Sequence, residues 1–269
     1  MVLGPGGTRA YYYIGALRAL EQAGRLADVR HWVGVSAGAL LSVLMAAGYT
    51  AEEIYRESLS TDLMTFTQPN TLVSLLATWG FLSTTPFEQR LSVLLKAKLG
   101  EDVKTFRDFS ARAPHSVVVV VSDLDDRRPL YFSVETTPDE SIVEAVLASC
   151  TVPLLFPARV WRGHRVIDGA FTDPYPLHVA AGKGRTLGLV MLPAAGTRPE
   201  LYPVAVYDTP VHQLKINAIE QWSDCPTVYH LPILTPILGM ELYTDDQKRE
   251  MVEYGAATAK THLEDSSPS

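Results

Sequence analysis

Short apolar runs alternate with segments of helical periodicity along the first fifty residues. Val2-Leu3 has the pattern of a buried strand, and the segment after it repeats apolar side chains at helical spacing from Ile14 to Leu20. His31-Trp32-Val33 predicts a second strand, and a helix of small apolar residues follows over residues 39–47. Two strand–turn–helix units this close together are typical of an α/β fold.

The same periodicity organises the rest of the chain. Ser116 to Val121 carries five consecutive valines, which predicts a strand covered on both faces, as the strands of parallel sheets are. Further strands are predicted at 130–134, 165–167, 187–192 and 227–231, and helices at 51–60, 85–98, 141–148, 210–222 and 245–262. The sequence thus predicts one α/β domain over residues 1–263, with a mainly parallel central sheet flanked by helices and a frayed tail at 264–269.

Helix ends supply further signals. Thr50 is followed three residues later by Glu53, and Thr244 is followed three residues later by Gln247. Both are the pattern of a capping box at a helix start. Thr209 precedes Pro210, so we expect that helix to begin there, with the threonine as its cap.

Composition limits the classes of protein. With 47% hydrophobic and 20% charged residues, the chain can bury one core, and general disorder is excluded. Its apolar runs are far shorter than the ~20 residues of a membrane span. A formal charge of −7 argues against nucleic acid as a partner. Cys150 and Cys225 are expected to be free thiols, and the start lacks the pattern of a signal peptide, so we expect a cytoplasmic location, either in solution or peripheral at membranes. The alternative is a leader that was removed by processing.

Gly34-Val35-Ser36-Ala37-Gly38 matches the G-x-S-x-G pattern and lies between a predicted strand and a predicted helix. Glycines at 34 and 38 relieve crowding around a tight turn, which would hold Ser36 out at the end of the sheet. The helix that follows offers backbone N–H groups to a developing negative charge. Ser36 is therefore a candidate nucleophile, and the alternative is an ordinary serine in a glycine-flanked turn.

A serine nucleophile needs a base. Asp168 ends the predicted strand 165–167 and precedes Gly169-Ala170, so its carboxylate would project from the end of a buried strand. The alternative is an aspartate that caps the next turn. Four histidines follow the serine in the order that a triad of the α/β-hydrolase type requires, but none lies in a glycine-rich context: His178, His212, His230 and His262.

A glycine-rich loop opens the chain. Gly6 and Gly7 leave backbone N–H groups unshielded near a helix start, which suits a phosphate or an oxyanion. The loop fails as a dinucleotide fingerprint because Arg9 stands where the third glycine belongs, and it lacks the Gly-Lys-Ser/Thr of a Walker loop. Arg9 is a candidate anion clamp, with a structural salt bridge as the alternative.

Together these elements resemble the patatin-like phospholipase family. Gly6-Gly7-Thr8-Arg9, Gly34 to Gly38 and Asp168-Gly169-Ala170 appear in the order of that family's oxyanion loop, nucleophile elbow and acid. Ala145 to Pro157 is similar to the family's segment before the acid, and the helix with Tyr254-Gly255 to its closing helix. Two positions depart from the pattern, since Pro5 and Ala10 stand where the family usually has glycine.

The resemblance implies a lipid acyl hydrolase of the phospholipase A type without a cofactor. Ser36 would attack the ester, Asp168 would take its proton, and the N–H groups of Gly6 and Gly7 would hold the oxyanion. Pro5 removes one N–H donor, but the two glycines credited with this role are present. The implied substrate is a phospholipid or another acyl lipid, met by transient contact with a membrane surface. The rivals are a short-chain carboxylesterase and a catalytically silent interaction protein of the same fold.

Two further segments have side chains that could bind a ligand. Asp123, Asp125 and Asp126 lack the glycine and distal glutamate of an EF-hand, so we expect a solvated turn and no metal site. Thr65 to Thr84 is poor in charge and contains Trp79 and Phe81. This segment is either a cover that opens at a lipid surface or a helix that packs in the core.

Overall fold

The computed structural model describes residues 1–60, 68–69, 82–153, 155–197, 202–235 and 243–265. Its strands are β1 (Val2–Leu3), β2 (His31–Val35), β3 (Gln68–Pro69), β4 (Leu82–Ser83), β5 (Ser116–Asp123), β6 (Arg128–Phe132), β7 (Arg159–Trp161), β8 (His164–Asp168), β9 (Thr186–Pro193) and β10 (Val228–Thr235). Its helices are α1 (Tyr11–Gln22), α2 (Ala37–Ala46), α3 (Ala51–Ser60), α4 (Thr85–Leu99), α5 (Phe106–Arg112), α6 (Ile142–Ser149), α7 (Leu177–Ala180), α8 (Tyr202–Trp222) and α9 (Asp245–Asp265).

A central sheet has the strand order β10-β9-β1-β2-β5-β8-β7, and β6 pairs with β5. The strands from β10 to β5 are parallel, whereas β6, β7 and β8 join by antiparallel pairing. Helices flank the sheet, so the predicted fold class is confirmed. The carboxyl ends of parallel strands meet at one edge of a sheet, which is where loops assemble a site.

Alternate residues of the strands enter two separate apolar clusters. On β5, Val119 and Val121 lie in the cluster with α1, α2 and α6, and Val120 lies in the cluster with α7 and α8. On β2, Trp32 lies in the first of these clusters and Val35 lies in the second. Because strand side chains alternate between faces, the two clusters are the two covered faces of the sheet. The unbroken valine run reflects this double burial.

β2 and β8 share one edge of β5. Val121 pairs with both β6 and β8, and Val120 pairs with both β2 and β6, so β6 occupies the opposite edge. β2 runs parallel to β5 and β8 runs antiparallel to it, so the two strands approach each other end to end. Val35 is opposite Val120 and Asp168 is opposite Val121. The register therefore makes Ser36 and Asp168 neighbours.

Both predicted capping boxes are confirmed. The Thr50 N–H donates to Glu53 Oε2 over 2.8 Å, and the Glu53 N–H donates back to Thr50 Oγ1 over 3.1 Å. At the start of α9, the Thr244 N–H donates to Gln247 Oε1 over 2.9 Å. These reciprocal bonds satisfy N–H groups that a helix start leaves without partners.

The predicted start of α8 at Pro210 is wrong. The helix begins at Tyr202 and continues through Pro210. Thr209 does not cap it, because its hydroxyl donates to the carbonyl of Ala205 one turn earlier. That bond is typical of a threonine inside a helix. Pro210 removes one helix hydrogen bond and crowds the carbonyl of the preceding turn, but Val211 directly after it is buried against the sheet, so packing outweighs the local signal.

Other differences are local. The strand predicted at 130–134 is β6 and lies two residues earlier in the chain, while α5 and β7 were not predicted. Most of the segment Thr65 to Thr84, with Trp79 and Phe81, lies outside the described residues, so both interpretations of it stay predictions. Cys150 and Cys225 are free thiols, as predicted. Among the described helices, none combines the length and the hydrophobicity that a bilayer crossing demands.

Candidate active site

Ser36 occupies a strained turn between β2 and α2. Its backbone angles are φ 57° and ψ −129°, a region that residues with a side chain rarely adopt. Such strain is characteristic of a nucleophile elbow, where the serine stands between a strand and a helix. The residue is 4% exposed. The predicted motif therefore has the backbone geometry that its chemistry requires.

The elbow depends on close backbone packing at its two glycines. A Cβ atom at Gly38 would lie 2.4 Å from the carbonyl oxygens of both Leu3 and Gly4. One at Gly34 would lie 2.4 Å from the carbonyl oxygen of Gly38. Both positions exclude any side chain. The start of α2 consequently packs directly on the loop that follows β1.

Ser149 ties the elbow to the central strand. Its hydroxyl accepts the N–H of Ser36 over 2.9 Å and donates to the carbonyl of Val120 over 2.6 Å. Ser149 is fully buried at the end of α6. It belongs to the family-like segment noted in the sequence, but no role could be assigned to it without the structure.

Asp168 ends β8 and is 0% exposed. Its N–H donates to the carbonyl of Thr151 over 2.9 Å, and its Oδ1 accepts the N–H of Ala170 over 2.9 Å. Its buried Oδ2 accepts no hydrogen bond of normal geometry from the described residues. The predicted alternative of a turn cap holds for Oδ1 only, and Oδ2 is left for another donor.

Burial raises the pKa of Asp168 from 3.8 to about 7, against the Ser36 hydroxyl, the Ala170 N–H and the Lys215 charge, which lower it. The Ser36 hydroxyl therefore approaches the carboxylate, although without ideal hydrogen-bond geometry. Loose contacts of this kind are common before a substrate binds. A carboxylate with a pKa near 7 is a far better base than one in water.

The glycine loop lies beside the elbow and enters a short 3₁₀ turn at Gly7–Ala10. Gly7 has φ 54°, which glycine adopts without strain. In the part of the chain that the structure describes, the N–H groups of Gly6 and Gly7 have no hydrogen-bond acceptor. Arg9 Nη1 contacts Thr235 Oγ1 at 3.4 Å, so its side chain is directed to the end of β10.

Three groups near Asp168 were missed by sequence reasoning. Burial is the main cause that raises the pKa values of Tyr207 and Cys150, and the negative charge of Asp168 raises them further. Lys215 is a buried cation whose pKa the charge of Asp168 also raises. The Tyr207 ring packs edge-on against Phe171 at 5.1 Å. Lys215 has a signal in the sequence, because it stands at a helical spacing of four after Val211, on the apolar face of α8.

The histidines lie elsewhere. All seven fall within the described ranges, and none of them forms a hydrogen bond with Ser36 or Asp168. His178 contacts Tyr131 and lies 3.7 Å from Asp173, and His230 contacts Tyr175.

The acidic turn after β5 is solvated as predicted at Asp125 and Asp126, which are exposed, but not at Asp123. Asp123 is 1% exposed, and its Oδ1 accepts the N–H groups of Asp125 and Asp126 inside the turn. Ligand atoms of Asp123, Asp125 and His164 lie within 4.8 Å of one another. Arg165 donates to Asp125 and partly neutralises this cluster, which is at the end of β8 remote from Asp168.

The sheet, the strained turn at Ser36 and the facing Asp168 together make an α/β protein with one candidate site at the strand ends. Residues 1–181 match the model of the family described as patatin-like phospholipase. This match covers more than half of the chain, so the chain belongs to the patatin-like phospholipase family.

Two viral proteins are similar in sequence. The "Probable lipid hydrolase 463L" of Invertebrate iridescent virus 6 is 24% identical over 182 residues, which are 67% of this chain and 62% of that protein. The "Uncharacterized protein R571" of Acanthamoeba polyphaga mimivirus is 23% identical over 180 residues, 66% of this chain and 59% of that protein. The chain thus spans about three fifths of the length of these relatives.

Two solved structures share the fold. VipD from Legionella pneumophila superposes with a TM-score of 0.60 at 16% identity, covering 98% of this chain and 66% of VipD. Full-length ExoU from Pseudomonas aeruginosa, in complex with SpcU, gives a TM-score of 0.57 at 18% identity over 98% of this chain and 52% of ExoU. At these identities the likeness concerns the fold.

Proposed function

We propose that this protein hydrolyses fatty acyl esters of lipids, as a phospholipase A, through Ser36 as nucleophile and Asp168 as base. The observation that carries the proposal is a strained serine facing a buried carboxylate whose pKa is raised to about 7. Family membership and a viral relative named as a lipid hydrolase support it.

The reaction runs in two steps. Asp168 accepts the hydroxyl proton of Ser36 as the oxygen attacks the ester carbonyl, and the N–H groups of Gly6 and Gly7 stabilise the oxyanion. The intermediate expels the alcohol, which takes the proton from Asp168, and leaves an acyl-enzyme on Ser36. Water then attacks the acyl group with Asp168 again as base, which releases the fatty acid and restores the serine.

The proposed substrate is a phospholipid or another acyl lipid, reached by transient contact with a membrane from the cytoplasm. Residues 1–263 are proposed to act as one domain without a cofactor. In this reading Arg9 is an anion clamp at the site, and Gly34, Gly38 and Gly169 serve its backbone geometry. The buried serine and the closely packed elbow support an active hydrolase over a silent protein of the same fold, which would need neither the strain nor the buried carboxylate.

Product analysis tests the substrate class. The protein is incubated with mixed phospholipid vesicles and, separately, with p-nitrophenyl esters of graded chain length. We expect free fatty acid and lysophospholipid from the vesicles, and no products with Ser36→Ala. Hydrolysis of the shortest esters alone would favour the carboxylesterase, and no hydrolysis of either substrate would favour the silent protein.

Histidine variants test the dyad. We expect Asp168→Asn to lose at least ~10³-fold in kcat/KM, whereas a Gln replacement of a histidine leaves activity within about tenfold. The four variants are made singly at His178, His212, His230 and His262. One histidine variant that folds and is as inactive as Ser36→Ala would replace the dyad with a triad.

A further inference from the structure

Lys215 is a buried lysine on an apolar helix face. It is 4% exposed and lies on the face of α8 that also carries Val211, Ala218, Ile219 and Trp222, all packed against the sheet. An ammonium group in such surroundings is costly unless polar groups or opposite charges face it. Its partners should therefore show what it does.

Its hydrogen bond satisfies a backbone carbonyl of β9 that lies beyond the end of the neighbouring strand β1. β1 ends at Leu3, and the last strand-like bond from that side runs from the Gly4 N–H to the Leu189 carbonyl on β9, over 3.1 Å. Two residues further along β9, Met191 faces the same side but has no strand beside it. The Tyr13 hydroxyl accepts the Met191 N–H over 3.1 Å, and Lys215 Nζ donates to the Met191 carbonyl over 3.1 Å. A lysine and a tyrosine thus replace the missing strand.

Met191 in turn supports the glycine loop. A Cβ atom at Gly6 would lie 3.1 Å from Met191 Cε and 3.3 Å from Tyr13 Cε2, so both side chains contact the loop from below. The Tyr13 hydroxyl also donates to the carbonyl of Pro5 over 3.4 Å. Three hydrogen bonds therefore connect the Lys215 ammonium to the backbone that presents the N–H groups of Gly6 and Gly7.

The ammonium also interacts electrostatically with charged groups of the site. The pKa of Lys215 is lowered from 10.5 to about 8, chiefly by burial and also by the charge of Arg9, while Asp208 and Asp168 act to raise it. Lys215 in turn lowers the pKa of Asp168. Tyr207 and Cys150 also face Asp168, but their pKa values are raised, so they are neutral at neutral pH.

We propose that Lys215 is a positioning residue of this site: its buried ammonium, bonded to the Met191 carbonyl, holds the floor of the glycine loop and supplies a positive charge to the site. The inference rests on the proposed hydrolase function. It differs from a purely structural role because the charge itself, apart from the hydrogen bond, should alter the reaction.

Three replacements separate the two effects. Lys215→Arg keeps charge and donor, Lys215→Gln keeps only a donor, and Lys215→Met keeps neither. For both Gln and Met we expect the acid limb of the kcat/KM profile to move up by about one pH unit, a typical size for loss of a nearby opposite charge. Lys215→Met should also lower kcat at least about tenfold with little change in KM, since the loop then loses its support. Lys215→Arg should keep the acid limb of the wild type.

Lys248→Met is the matched control. Lys248 is also 4% exposed, but it donates to Asp245 on its own helix and lies over the ring of Tyr11. We expect its loss to leave the acid limb in place. An unmoved acid limb in Lys215→Gln would overturn the proposal even if Lys215→Met fails to fold, because Gln retains the donor. Failure of the hydrolase proposal is distinct, since wild type itself would then show no hydrolysis.

Discussion

At the scale of single residues, the site stores strain in the backbone of Ser36. A residue held at φ 57° and ψ −129° costs about 1 to 3 kcal/mol relative to a relaxed conformation. The cost is borne because the register of β2 and the close contact of Gly38 with the glycine loop leave the turn no alternative. Stability is thus given up at the residue proposed to react.

Replacing Ser36 tests this strain directly. We expect Ser36→Gly to be more stable than Ser36→Ala by about 1 kcal/mol, because glycine adopts this conformation without a Cβ penalty. Both variants should lose ester hydrolysis by at least ~10³-fold and escape labelling by a fluorophosphonate. Denaturant unfolding measures the first effect. Equal stability of the two variants would mean that the turn is relaxed in solution.

The pKa of Asp168 sets the expected pH profile. A base with a pKa of about 7 must be ionised to accept a proton, so kcat/KM should rise about tenfold per unit below pH 7 and level off above it. The measurement is a profile on a soluble ester between pH 5 and 9. A plateau that already begins near pH 5 would show that Asp168 titrates as in water.

The same shift makes stability depend on pH. Because the folded pKa is raised from 3.8 to about 7, the folded protein binds this proton more tightly than the unfolded chain. The resulting stabilisation is fully present below about pH 4 and is lost as pH rises through 7. We expect wild type to lose stability relative to Asp168→Asn over this range, as measured by denaturant unfolding at several pH values. A constant difference would contradict the burial of the charge.

At the scale of elements, the strand–turn–helix units at Ser36 were predictable because their signals are local. The glycines, the small-residue helix and the valine run each determine their own neighbourhood. The antiparallel pairing of β8 with β5 was not predictable, since it depends on which part of the β5 edge the neighbouring strand β2 leaves unpaired. The early start of α8 was missed for the same reason, because contact of Val211 with the sheet outweighs Pro210. The partners of Lys215 were not predictable either, because its bond to Met191 depends on where β1 ends beside β9.

The contact between α1 and α9 depends on glycine. A Cβ atom at Gly255 would lie 2.0 Å from the carbonyl oxygen of Tyr12, and one at Gly15 would lie 1.9 Å from that of Val252. The two helices therefore touch through their backbones. Gly255, in the Tyr254-Gly255 pair that resembles the family's closing helix, thus has a packing role.

Gly255→Ala tests this contact by the sign of its effect. Helix propensity alone would make the change stabilising by about 1 kcal/mol. We expect a loss of about 1 to 3 kcal/mol instead, because the methyl group overpacks the interface. Ala257→Gly, at an exposed position of the same helix, is the control and should cost about 1 kcal/mol by propensity alone. Stabilisation by Gly255→Ala would show that the helices can separate without cost.

At the scale of the whole molecule, the part that matches the family model is not a structural unit. The match ends at residue 181, whereas β9 and β10 continue the sheet beyond β1 and α9 covers α1. Val2 and Leu3 are fully buried between β2 and β9. The glycine loop therefore takes its position partly from residues far along the chain.

Truncation tests this dependence. We expect a chain that ends at residue 181 to lack a cooperative melting transition and fluorophosphonate labelling, because β1 loses a neighbour and the loop loses Met191 and Lys215. A chain that ends at Asp265 should melt and react as the full chain does. Circular dichroism during heating is the measurement. A folded, labelled 1–181 fragment would show that the site is built locally.

The shared edge of β5 has a consequence for how such a protein can change over time. Because β2 and β8 meet end to end on one strand, the spacing between Ser36 and Asp168, the proposed nucleophile and base, is set along β5 and not by the long stretch of chain between them. Insertions in that stretch can alter the surroundings of the site while Ser36 and Asp168 stay in place. One residue added to β2 or β8, by contrast, would displace a side chain by about 3.3 Å and turn it to the opposite face. Insertions should therefore be tolerated in the connecting segments but not within β2 or β8.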